Sequence, residues 1–131
     1  MITFTENYLK ENNEFGDLED LSFIKYAFEN LKEPPNLKKD EDINCHEICK
    51  AFSKALGFKM ETGHFLKGWE HSWLITQYGN IIDVYPWGTC GGPILVHRKM
   101  RSPEIYQIKN IFDSINEEHV DFLAKQIEDF I

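Results

Sequence analysis

Cys45, His71 and Asp83 have the types and chain order of a nucleophilic site. A thiol in the first turn of a helix feels the positive end of the helix dipole, and a nearby imidazolium adds to that field. Its pKa falls, and thiolate is present near neutral pH. The thiolate attacks a carbonyl carbon, the imidazole moves the protons, and a carboxylate behind the ring fixes its orientation. These three residues do this chemistry only if the fold brings them together.

The stretch EHSWLITQYGNIID, Glu70 to Asp83, is where the last two are expected to meet. Gln77, Tyr78 and Gly79 read as a three-residue hairpin loop, a type I turn closed by a left-handed residue that glycine supplies without strain. That loop pairs Thr76 with Asn80, and therefore Trp73 with Asp83. His71 shares a face with Trp73, so His71 and Asp83 become diagonal neighbours with Cβ atoms about 7–8 Å apart. A slip of one residue would put them on opposite faces.

The cysteine needs a helix start. Asn44 is a good N-cap, and Glu47 completes a capping box, so a helix begins at Cys45. Cys45, Ile48, Cys49, Phe52, Ala55 and Leu56 form its apolar stripe, and Gly57 stops it. Cys45 on that stripe also has a plainer reading as a core thiol.

The segments NCHEICKAFSKALG, HSWL and GNIIDVYP together resemble the core of the transglutaminase-like branch of the papain-like cysteine peptidase superfamily, over residues 44–86. The resemblance implies an α+β fold: a helix carrying the cysteine packed on a small antiparallel sheet, with flanking helices. It implies Cys45 as nucleophile, His71 as base and Asp83 as its orienter. The implied function is a cysteine-dependent hydrolase or acyl transferase (protease, amidase, deamidase or transglutaminase-like), with a peptide or protein substrate and no cofactor. The superfamily also has members without activity, so an inactive protein- or peptide-binding module is the alternative. The interval from Cys45 to His71 is short for this superfamily, which implies missing substrate-binding insertions. No glutamine lies upstream to serve an oxyanion. The Cys45 backbone N–H and the Asn44 side chain are the substitutes. Asn44 and Trp73 are thus the expected substrate-binding residues, Trp73 as a wall that keeps the cleft dry.

Other candidates carry less. Cys49 lies inside the helix and reads as core, and Cys90 in PWGTCGGP has no helix start to activate it. Cys45, His46, Cys49 and Cys90 make a poor metal set. Helical neighbours point about 100° apart, and no Cys-x2-Cys knuckle is present, so no metal is expected. His64, His97 and His119 read as surface or satisfied core histidines, and Trp69 and Trp87 as packing residues.

The remaining chain must hold this site in place. Leu18, Leu21, Ile24, Phe28 and Leu31 have helical spacing, ended by KEPPNLKKDED. Strands are expected in FKMETGHFL, EHSWLIT, NIIDVY and ILVH, a short helix in PEIYQIKNIF, and a last helix capped by Ser114 with Glu117. That last helix carries Val120, Leu123, Ile127 and Phe130. The chain of 131 residues reads as one domain, 1–131, and 42% hydrophobic content supports a folded core. A net charge of -8 argues against a nucleic-acid partner. The absence of a long apolar run or leader pattern argues against membrane association and for a cytoplasmic place. Three cysteines cannot all pair, so reduced thiols are expected. The acidic runs near the ends read as solvated faces, and oligomeric state is not readable.

Overall fold

The computed structural model describes residues 14–34, 44–66, 69–84, 92–102, 105–109 and 115–131. Within them the architecture is α+β, with three helices and a five-stranded antiparallel sheet. Helix α1 spans Phe15–Asn30, α2 Cys45–Leu56 and α3 Glu117–Asp129. The strands are β1 (Lys59–Phe65), β2 (Trp69–Ile75), β3 (Ile81–Asp83), β4 (Ile94–Val96) and β5 (Gln107–Ile108), in the order β4-β3-β2-β1-β5. The strand that carries His71 is therefore central.

Local chemistry sets the start of α2. Asn44 Oδ1 accepts from the Glu47 backbone N–H at 2.9 Å, and Glu47 Oε1 accepts from that of Asn44 at 3.2 Å. Such a cap contributes about 0.5–2 kcal/mol. Gly57 ends the helix in the left-handed region, at φ +79°. The same Glu47 reaches α3: its Oε2 accepts from the Asn116 backbone N–H at 2.9 Å and from His119 Nδ1 at 3.1 Å. One buried carboxylate thus serves two helix starts, where both dipoles favour negative charge. Lys50–Glu117 and Lys54–Asp121 ion pairs run along the contact and show that α2 and α3 lie parallel.

Strand alternation divides the core. Leu74, Ile82 and Val84 face the helices and pack with Ile24, Phe52, Leu123 and others. Trp73 and Ile81 face the other way and pack with Tyr106, Phe65 and Ile75. Both faces of the sheet are covered.

Three expectations change. The segment PEIYQIKNIF is not helical where described. Tyr106 has a positive φ of 58°, which no helix accommodates, and Gln107–Ile108 pairs with β1 opposite His64 and Gly63. Gly63 makes that pairing possible, since a Cβ there would sit 1.9 Å from the Gln107 carbonyl oxygen. The last helix starts at Glu117 with Asn116 as its N-cap, an equally good cap residue, while Ser114 lies outside the described residues. The acidic start of α1 is not a solvated face, because Glu14 and Asp17 are buried. Cys90 and Trp87 also lie outside the described residues. Among the described residues, no helix is long and apolar enough to cross a membrane.

Candidate active site

The hairpin closes in the expected register. Gly79 takes φ +82°, and its N–H donates to the Thr76 carbonyl at 2.9 Å. The Thr76 N–H donates to the Asn80 carbonyl at 2.9 Å. Leu74 pairs with Ile82 and Ile75 with Ile81, which puts Asp83 across from Trp73. Helix α1 clamps the turn from outside: Asp17 Oδ2 accepts from Thr76 Oγ1 at 2.6 Å and from Asn80 Nδ2 at 2.8 Å. A register slip would break every one of these bonds.

His71 and Asp83 therefore meet. His71 Nε2 donates to both carboxylate oxygens, at 2.8 and 2.9 Å, and both residues are fully buried. Tyr106 Oη donates to Asp83 Oδ2 at 2.8 Å. Its ring packs edge-on against Trp73 and beside Phe65, while Arg101 holds its carbonyl through Nε and Nη2 at 3.1 and 2.8 Å. Arg101 and the Trp73 indole N–H share Glu61 Oε1, at 3.0 and 2.8 Å. The carboxylate behind His71 is thus fixed from two directions.

The first turn of α2 carries the third candidate, Cys45. His71 and Ser72 are consecutive on β2, so their side chains point to opposite faces. Yet Cys45 lies close enough to His71 for the two to shift each other's pKa, and His46 Nδ1 lies 2.5 Å from Ser72 Oγ. The helix start must therefore abut β2 from the side, next to where β3 ends at Asp83. His71 Nδ1 is buried with no hydrogen-bond partner among the described residues, and the ring packs beside Phe65 and Trp73.

Burial pushes the Cys45 thiol up, but hydrogen bonds and charge from His46 and His71 outweigh it and lower the pKa to about 6. Burial likewise pushes His71 down, but its bonds to Asp83 and Cys45 raise it to about 9. Opposed shifts of this kind favour the thiolate and imidazolium forms of the two groups. Cys49, fully buried near Asp83 and Cys45, is pushed well above the ordinary thiol range and stays inert.

The two expected substrate-binding residues both have structural contacts. Trp73 is 0% exposed and stands behind His71, with ring centroids 6.2 Å apart, so it is a packing residue and offers no surface to a substrate. Asn44 Oδ1 accepts in the helix cap, whereas an oxyanion would call on the Nδ2 donor of the same amide. His46, Ser72 and Tyr106 are the site's further members. Only the adjacency of His46 to Cys45 was a signal in the sequence. A surface cleft of about 390 Å³ lined by Asp20, Leu56, Phe58, Lys59 and Gln77 lies at the other end of α2 and includes none of the triad. Among the described residues, no group of three or more His, Cys, Asp or Glu side chains forms a metal site. Comparison of the chain with protein-family models, with curated proteins and with solved structures finds no match.

Proposed function

We propose that this chain is a cysteine-dependent hydrolase or acyl transferase of the papain-like, transglutaminase-like kind, acting on an amide, ester or thioester carbonyl of a peptide or protein. One observation carries the reading: the His71 imidazole is bonded at 2.8 Å to the buried Asp83 carboxylate, while Cys45 opens a capped helix with its thiol shifted down and the imidazole shifted up. Opposed shifts on adjacent groups are how an acid and a nucleophile are kept ready at one pH.

The Cys45 thiolate attacks the carbonyl carbon, forming the C–S bond while the π electrons move to oxygen. The intermediate collapses, and the leaving amine, alkoxide or thiolate takes the proton of His71. The neutral imidazole then takes a proton from water or an amine as it attacks the acyl-cysteine, which releases the product and restores the thiolate. Asp83 holds the ring through both halves. Hydrolysis and transfer differ only in the second nucleophile.

The alternative, an inactive peptide-binding module, is favoured by the low exposure of the site, 5% at Cys45. Intact mass after exposure to a panel of peptide thioesters and activated esters separates the two. An acyl adduct on Cys45, absent from Cys45→Ala, is expected. No adduct from any member of the panel would leave the binding module.

A further inference from the structure

The cleft at the far end of α2 serves no part of the triad. Cys45 opens α2 and Gly57 follows its last residue, so about 18 Å of helix separates the two places. The cleft volume of about 390 Å³ falls within the range of small-molecule sites, about 300–1,000 Å³. Its walls come from separate elements: Asp20 from α1, Lys59 from the start of β1, and Gln77 from the tip of the β2–β3 hairpin. The Gln77 amide lies over bare backbone of α1, with Nε2 3.1 Å from where a Cβ on Gly16 would stand, so hairpin and helix form one wall. Leu56, Phe58 and Ile75 supply apolar surface, each partly buried against the core. Beside Gly57 the space is open: no atom beyond its chain neighbours lies within 4 Å of its Cβ position.

The polar groups of this cleft are unmatched. Among the described residues, the side chains of Asp20, Lys59 and Gln77 make no hydrogen bond or ion pair. Asp20 and Lys59 thus line one cleft with opposite charges and do not neutralise each other. Burial, with Asp17 and Glu19 nearby, pushes the Asp20 carboxyl up, as befits an acid with no cation beside it. The C-terminal end of α2 adds the negative pole of its dipole. A cation is therefore favoured beside Asp20 and an anion beside Lys59, with apolar surface between. A ligand of one charge would leave the other group unmatched. The Gln77 amide both donates and accepts, which suits a peptide group.

We infer that this cleft binds a small zwitterion with an apolar side chain, a free amino acid or dipeptide, its ammonium beside Asp20 and its carboxylate beside Lys59. The inference does not rest on Cys45 being a nucleophile, so Cys45→Ala should bind the same ligand equally well. Titration of isotope-labelled protein with leucyl-leucine, followed by amide NMR shifts, should move Gly57, Phe58, Lys59 and Gln77 and saturate. Free leucine, titrated in parallel, tells whether the amino acid or the dipeptide fits better. N-acetyl-leucyl-leucine and leucyl-leucinamide each lack one charge and should bind about 3- to 10-fold more weakly. In Asp20→Asn the free and acetylated peptides should bind alike, and in Lys59→Gln the free peptide and its amide should. Capped peptides that bind wild type as well as the free one would overturn the inference. So would the absence of saturable shifts with either ligand up to about 10 mM. Shifts confined to Cys45, His71 and their neighbours would place the peptide at the triad, and overturn it too.

Discussion

Replacing Asp83 by Asn tests how the site makes its thiolate. The amide keeps the carboxylate's shape but removes the charge that His71 Nε2 contacts at 2.8 and 2.9 Å. Burial is the largest influence on His71 and acts downward, so without the carboxylate it wins and the ring is neutral near pH 7. The thiol then loses the lowering contribution of His71 while that of His46 remains, and burial, the largest influence there too, pushes it up from about 6. An ordinary thiol has a pKa of about 8.5, so the ionised fraction at about pH 7 would fall from roughly nine-tenths to roughly 3%, about 30-fold. Rate at a single pH understates this, because a more basic thiolate is intrinsically more nucleophilic. The midpoint of the alkylation profile is therefore the quantity to read. Iodoacetamide rates for Cys45, followed by peptide mass across the pH range, should give a midpoint raised by about 1–2.5 units in Asp83→Asn, with His46 limiting the upper end. A folded variant whose midpoint stays at the wild-type value would refute the reasoning.

Two further outcomes follow from the packing behind the triad. Tyr106→Phe removes a buried hydrogen bond to the Asp83 carboxylate and should cost about 1.5–3 kcal/mol in urea unfolding. An unchanged midpoint would mean that Tyr106 does not secure Asp83. Gly63→Ala would put a Cβ 1.9 Å from the Gln107 carbonyl oxygen, so β5 should detach and the amides of Gln107–Lys109 should exchange faster with deuterium. Unaltered exchange there would show that β5 is not held by close backbone approach.

What could be read from the sequence was decided locally. Asn44 and Glu47 mark the α2 start because a capping box spans only four residues. Gly79 sets the hairpin register because one left-handed residue fixes which strand positions face each other. Those two local facts put Cys45 at a helix start and Asp83 beside His71. The missed members reach across the fold. Tyr106 comes to Asp83 only because β5 lies at the far edge of β1, and helix-like spacing in that segment is overridden by strand pairing. Asp17 looks like one acid among many until Thr76 and Asn80 close on it. The pairing of His46 with Ser72 depends on the angle at which α2 meets β2, which no short motif encodes.

The nucleophile claim is tested most directly by which cysteine of the folded wild-type protein reacts first with iodoacetamide at about pH 6.5, below the ordinary thiol range. Peptide mapping over time should show Cys45 modified ahead of Cys49 and Cys90, with a rate midpoint near 6. Cys45 that stays unmodified in the folded protein until the pH nears about 8.5, or that reacts only on unfolding, would make it a core thiol and contradict the claim.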